Sequence, residues 1–168
     1  MATRPFQRPV IAPHVLFGGV YGTVLASSMV AALTQYGETA RAERLYDAKW
    51  LLVTAAASAL AHGYAHLVAR RGDRAHHGIR PAVRALLQEW PLIVATLPTA
   101  LLLFGAGLGW WASRGIEYVA FAINTVLLFG WGLFASRVVG RTWRSALAVG
   151  AGDAGLGMAV VVANALIK

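Results

Sequence analysis

The sequence contains no cysteine and few charged residues, and each of these absences excludes some classes of protein. Without cysteine there is no disulfide framework, no thiolate metal site and no thiol catalysis. Charged residues make up 13% of the 168 residues, against about 25% in a typical soluble domain. The hydrophobic fraction is 58%, which is too high for a disordered chain. A polytopic membrane protein is the class that remains.

Five long runs of apolar residues have the length needed to cross the hydrocarbon of a bilayer, which takes about 20 helical residues. None of them alternates polar and apolar residues in the way that is typical of a barrel strand. They therefore predict an all-α fold, a single domain over 1–168 built as a bundle of about five transmembrane helices. The predicted spans are 15–36, 50–69, 90–112, 116–136 and 145–167.

Lysine and arginine are distributed unequally between the two sides of the predicted bundle. The N-terminal arm and the loops 70–89 and 137–144 hold ten of them, and the opposite side holds five. Cytoplasmic loops carry the excess of these residues, so we expect the N-terminus in the cytoplasm and the C-terminus outside. The formal net charge of +8 follows mostly from this bias, and no basic soluble module indicates binding to nucleic acid.

Few polar side chains interrupt the spans, and each is a candidate site residue because burying it in hydrocarbon is costly. Asp153 lies about 13 Å in from the cytoplasmic boundary, and His62 lies at a similar depth of about 12 Å. His62 and His66 are four residues apart and share one helix face. Equal depth predicts a His62–Asp153 pair that relays protons or binds a cation. Asn124 adds a polar group to this route, and Glu89 lies at its inner mouth.

A structural role is the alternative for each of these groups, because a buried histidine or carboxyl group is often only hydrogen-bonded to a neighbouring helix. His62 and His66 are also weak candidates for metal ligation. Zinc generally needs three or four ligands, so Asp153 or Glu89 would have to join them. No cofactor motif and no nucleophile with a base partner is evident, so we expect neither a cofactor nor an enzymatic activity.

Residues 150–155 match the glycine pattern G-x-G-x-x-G, but they lie inside an apolar run rather than between a strand and a helix. The expected role of Gly150, Gly152, Gly155 and Gly157 is a smooth face for helix packing. Small residues let transmembrane helices approach closely, which favours contact with another helix or another subunit. The chain holds 18 glycines, and we expect a homo-oligomer embedded in the lipid bilayer.

The stretches 20–25 (VYGTVL), 61–66 (AHGYAH) and 89–91 (EWP) resemble those of small, uncharacterised integral membrane proteins of high-GC Gram-positive bacteria. The resemblance covers most of the chain and implies a bacterial plasma membrane, but it implies no activity. Five spans and the segment 17–19 (FGG) also resemble the vacuolar iron transporter family. The acidic first-span motif of that family is missing, since 20–22 reads Val-Tyr-Gly, and loop 70–89 is short for its metal-binding helices.

Together these features predict an integral membrane protein that passes a small ion or a proton, as an oligomeric channel or a simple transporter. The alternative is a structural or accessory subunit of a membrane complex that transports nothing. The two interpretations differ in whether Asp153 and His62 contact water or pair within a dry core.

The predicted orientation can be tested by labelling, because the chain has no native cysteine. Arg114→Cys, in the turn 113–115, is expected to react with a membrane-impermeant maleimide on intact cells. Arg141→Cys, in the loop 137–144, should react only after the membrane has been opened. The cysteine-free parent protein measures the background, and the reverse pattern of labelling would contradict the orientation.

Overall fold

The structure is a computed structural model that describes residues 13–34, 40–69, 83–84 and 86–167. These residues form five long α-helices and contain no strand, which confirms the predicted all-α class. The helices are α1 (Pro13–Leu33), α2 (Arg41–Ala69), α3 (Trp90–Leu108), α4 (Ile116–Val138) and α5 (Trp143–Ile167). All five are long and apolar enough to cross a membrane. The N-terminal arm and most of loop 70–89 lie outside the described residues.

Successive helices run in opposite directions through the bundle. Leu45 of α2 lies beside Gly107 near the end of α3, and His66 of α2 lies beside Glu89 just before α3 begins. We call the end of the bundle at which α1, α3 and α5 begin the first end, and the opposite end the second end. α2 and α4 begin at the second end.

α1 occupies the centre of the bundle and packs against every other helix. The most extensive contacts join α4 to α5, α2 to α3 and α1 to α3. In the most apolar stretch of α3, 56% of the residues are buried, against 17% in that of α5. α1 and α3 therefore form the core, and α5 lies at the edge, held mainly by α4.

Two glycines bring α1 close to the backbone of α3. A methyl group added at Gly18 would lie 2.8 Å from the Leu92 nitrogen, and one added at Gly22 would collide with the Leu92 carbonyl oxygen. Leu92 itself is fully buried. Close approach over small residues stabilises helix pairs in a membrane, where no hydrophobic effect drives helices together.

α2 begins nine residues before the predicted span 50–69, so most of the expected loop 37–49 is helical. The charged residues of 41–49, which lie just before the apolar run 50–69, stabilise a helix. The Glu43 carboxylate accepts a hydrogen bond from the Ala40 N–H at 3.1 Å, and Arg44 pairs with Asp47 three residues on. Loss of hydrophobicity therefore marks the membrane boundary but not the end of the helix.

α3 ends at Leu108, four residues before the predicted end at 112, because Gly109 adopts the left-handed conformation with φ +80°. The N–H groups of Gly109 and Trp110 bond to the carbonyls of Ala106 and Gly105 and close the helix. α4 and α5 each extend two residues beyond their predicted spans, in both cases toward the first end.

Gly22→Ala is expected to destabilise the bundle, because the new methyl group would collide with the α3 backbone. Overpacking of this kind lowers the free energy of unfolding by about 1–3 kcal/mol. Titration with sodium dodecyl sulfate in mixed micelles, followed by circular dichroism, measures this quantity.

Gly130→Ala is the matched control for that experiment. No described atom lies within 4 Å of a methyl group added at Gly130, so the free energy of unfolding of this variant should stay unchanged or rise slightly. Equal destabilisation of the two variants would contradict the close contact between α1 and α3.

Candidate functional site

Five polar side chains lie in the interior of the bundle and form its central polar layer. Each is at most 1% exposed. In a membrane such groups need partners within the protein, because hydrocarbon offers none. The layer consists of Thr23 and Ser27 of α1, Thr96 and Thr99 of α3, and Asn124 of α4.

Three of the four hydroxyl groups in this layer donate hydrogen bonds within their own helices. Each of the three donates to the carbonyl oxygen three or four residues earlier, at 2.7 to 3.1 Å. The fourth belongs to Thr99, which donates across the interface to Asn124 Oδ1 at 2.8 Å. This hydrogen bond ties α3 to α4 in the middle of the bundle.

The amide group of Asn124 is only partly satisfied. The residue is fully buried, and its Nδ2 has no hydrogen-bond partner among the described residues. A buried donor in this state costs about 1–3 kcal/mol. Exchanging the oxygen and nitrogen of the amide would leave the oxygen unpaired instead. One amide atom therefore needs a small partner such as water in the middle of the bundle.

One carboxylate lies on each side of this layer, Glu89 toward the first end and Glu117 toward the second end. On α3, Glu89 precedes Thr96 by seven residues and shares its face, and on α4 Glu117 precedes Asn124 by seven residues. The Glu89 side chain, at the first end, is 5% exposed, and that of Glu117, at the second end, is 14% exposed. We call Glu89, Thr96, Thr99, Asn124 and Glu117 the α3–α4 polar line.

At the first end, Glu89 pairs with a histidine of α2. His66 Nε2 lies 3.6 Å from Glu89 Oε1. The imidazole is 57% exposed whereas the carboxylate is buried, so the pair lies at the edge of the bundle. Glu89 also precedes the first turn of α3, where the helix dipole favours a negative charge. The structure thus brings together two of the site residues that the sequence predicts.

At the second end, Arg44 of α2 joins two acidic side chains. Arg44 is 2% exposed, which is rare for an arginine unless it is paired. Its Nη1 lies 3.3 Å from Asp47 Oδ2, and its Nη2 lies 3.6 Å from Glu117 Oε2. Its Nε donates to Ser113 Oγ at 3.2 Å. We call these four residues the second-end ion cluster, which joins α2 to the turn after α3 and to the start of α4.

His62 and Asp153, the pair predicted from equal depth, lie against different helices. The His62 ring contacts Phe17 and Tyr21 of α1 edge-on, with centroid distances of 5.4 and 4.6 Å. Asp153 lies beside Gly132 of α4. Within the described part of the chain, no hydrogen bond or ion pair joins the two residues. Their roles in ion passage stay predictions.

The two histidines proposed as weak metal ligands face different neighbours, His62 the rings of α1 and His66 the carboxylate of Glu89. Among the residues that the structure describes, no group of three or more histidine, aspartate or glutamate side chains could hold a metal ion. Metal ligation by His62 and His66 stays a prediction.

The four glycines of α5 divide between two faces of the helix. A methyl group added at Gly150 would lie 2.8 Å from the Phe129 carbonyl oxygen, and one at Gly157 would lie 2.9 Å from a leucine methyl group of α4. These two glycines let α5 approach α4. Gly152 and Gly155 have no described atom within 4 Å of an added methyl group and lie on the outward face. Contact of that face with a further subunit stays a prediction.

Arg44 and the four hydroxyl-bearing residues are not among those that the sequence singles out. In the count of lysine and arginine, Arg44 contributes only to the predicted orientation of the chain. Threonine and serine are uncharged, so they do not interrupt an apolar run and are not noticed as polar groups within it. The seven-residue spacing of Glu117 and Asn124 was the available signal, since it places both residues on one helix face.

Comparison of the chain with protein-family models, with curated proteins and with solved structures finds no match. The resemblance to small membrane proteins of high-GC Gram-positive bacteria stays a prediction, as does that to vacuolar iron transporters. A function is therefore inferred from the geometry of the site.

Arg44→Leu is expected to lower the free energy of unfolding by about 3–5 kcal/mol, because two carboxylates would lose their cation. Adding Asp47→Asn and Glu117→Gln to the same chain should restore part of that loss, since no uncompensated charge then remains. Unfolding by detergent titration, followed by circular dichroism, measures both effects.

Arg41→Leu is the matched control, because this arginine lies at the same helix end with an exposed side chain. Its removal should change the free energy of unfolding by less than about 1 kcal/mol. A triple variant no more stable than Arg44→Leu alone would show that charge compensation is not the role of the cluster.

Proposed function

We propose that this chain passes protons or a small ion across a membrane along the α3–α4 polar line. The observation that carries the proposal is the amide nitrogen of Asn124, which is fully buried in the bundle and has no partner among the described residues. Polar groups within transmembrane helices are costly and commonly belong to ion or proton routes. A route that contains water would give this amide its missing partner.

The charges at the two ends of the line support a proton or a cation as the passing species. Glu89 at the first end and Glu117 at the second end are carboxylates, which take up protons and attract cations but repel anions. His66, exposed beside Glu89, adds a second proton-binding group at the first end. Arg44 beside Glu117 limits the negative charge at the other end.

The spacing along the line favours protons over hydrated ions. Each carboxylate lies seven residues from the central polar layer, about 10 Å along its helix. Buried apolar side chains occupy both intervals, Leu92 toward the first end and Phe121 toward the second. Threonine and asparagine neither take up nor release a proton near neutral pH, so proton transfer across these intervals depends on transient water. Slow proton passage fits this arrangement better than an open pore.

The bundle is proposed to act as a homo-oligomer in a bacterial plasma membrane. The outward face of α5, with Gly152 and Gly155, supports contact between subunits. The excess of lysine and arginine on one side supports a cytoplasmic N-terminus. Glu89 would then face the cytoplasm and Glu117 the outside.

A structural or accessory subunit that transports nothing is the second candidate. It is favoured by the central polar layer, in which three hydroxyl groups already bond within their own helices. It is also favoured by the second-end ion cluster, in which opposite charges compensate one another. In this role Asn124 would only tie α4 to α3 through Thr99.

Purified protein in liposomes tests the proposal. The wild-type protein is expected to dissipate an imposed proton gradient, read with a trapped pH-sensitive dye, and gradients of monovalent cations are tested in parallel. Asn124→Leu should reduce the flux at least tenfold, because it removes the central amide. Thr125→Val is the matched control: the Thr125 hydroxyl donates to the Phe121 carbonyl of its own helix at 2.8 Å, so flux should persist.

His62→Ala and Asp153→Asn belong in the same series, because loss of flux in these variants would extend the route to both residues. Size-exclusion chromatography and circular dichroism establish that each variant is folded. A wild-type protein that is assembled but gives no flux under any gradient or pH would overturn the proposal in favour of a structural subunit.

A further inference from the structure

Two aromatic rings of α1 and one imidazole of α2 form a partly exposed surface on the bundle. Phe17 and Tyr21 stack with 5.7 Å between ring centroids, and His62 contacts both rings edge-on. Phe17 is 48% exposed and Tyr21 is 37% exposed, so a ligand can reach their rings. We call Phe17, Tyr21 and His62 the aromatic face.

The aromatic face spans the boundary between α1 and α2. These two helices pack much less against each other than each packs against α3. Tyr21 lies eight residues from the start of α1, and His62 lies seven residues from the end of α2. Both are therefore about 10–12 Å from the first end, at a depth where a spanning helix meets hydrocarbon.

Two hydrogen-bond donors of this face have no partner among the residues that the structure describes. Neither the Tyr21 hydroxyl group nor the His62 imidazole bonds to any residue in the described part of the chain. Lipid chains contain no acceptor, so unpaired donors at this depth are costly. A ligand complementary to this face has hydrogen-bond acceptor oxygens on a flat apolar ring. It reaches the face from the lipid.

We propose that the aromatic face binds the ring of a lipid-soluble quinone. The quinone ring stacks on Phe17 and Tyr21, and its carbonyl oxygens accept hydrogen bonds from Tyr21 Oη and the His62 N–H. The isoprenoid tail extends from this face into the lipid. Phospholipids also carry acceptor oxygens, but these lie at the surface of the hydrocarbon rather than within it.

None of the three residues of this binding site belongs to the α3–α4 polar line, so quinone binding can be tested separately from flux through Asn124. The chain also supplies an internal control one helical turn away. His66 is exposed like the aromatic face, but its partner is the Glu89 carboxylate. Its removal should therefore leave quinone binding unchanged.

Calorimetric titration of the detergent-solubilised protein tests the proposal. The probe is a methyl-naphthoquinone with a tail of two isoprene units, and the control ligand is the isoprenoid alcohol with the same tail. Saturable binding of the quinone and at least tenfold weaker binding of the alcohol are expected. Tyr21→Phe and His62→Leu should each weaken quinone binding by about tenfold, the effect of one lost hydrogen bond. His66→Leu should bind like the wild type.

Tyr21→Phe keeps the ring and its packing, so it decides the result even if His62→Leu fails to fold. His62→Gln, which retains a donor, should keep most of the affinity. No saturable binding to the wild type would overturn the proposal, as would equal affinity for the alcohol. A short-chain phospholipid that competes as well as the quinone would overturn it in favour of a lipid site. Equal weakening by His66→Leu would also contradict the assigned residues.

Discussion

The close approach of α1 to α3 is the contact on which the rest of the bundle depends. Gly18 and Gly22 let α1 lie directly on the backbone around Leu92, which places α1 at the centre. At this spacing the hydroxyl-bearing faces of both helices are buried, and the central polar layer is hidden from lipid. Bulkier residues would separate the two helices, and hydrocarbon would then surround polar groups for which it has no partner.

The number of helices and the helical class follow from the length of the apolar runs, because such a run has few other stable structures in lipid. The ends of the helices follow less well. Segment 41–49 is charged, and hydrophobicity alone predicts a loop there, yet the pairing of Arg44 with Asp47 and the contact of Glu43 with Ala40 continue α2 through it. At the end of α3, a single left-handed glycine decides the boundary before hydrophobicity falls.

For the candidate site, the sequence predicts the depth of each residue along the membrane normal but not its neighbours on other helices. Depth can be read from residue spacing, and it places Glu89 at one end of the bundle, the end at which the structure has it beside His66. Depth contains no information on which helices are neighbours, so it could not reveal that His62 faces α1 while Asp153 faces α4. Depth did not identify the partner of Asn124 either, because Thr99 lies 25 residues away in the chain, on the preceding helix.

The length of α2 links the energetics of the bundle to the thickness of the surrounding lipid. With 29 residues it is about 44 Å long, whereas the hydrocarbon of a bilayer is about 30 Å thick. The excess corresponds to roughly nine residues, which matches the charged segment 41–49. If 50–69 crosses a bilayer of average thickness, Arg44 and Asp47 would lie at headgroup level. A thicker bilayer would draw these charges into hydrocarbon and a thinner one would tilt the helix, so lipid composition alone would change the stability of this end.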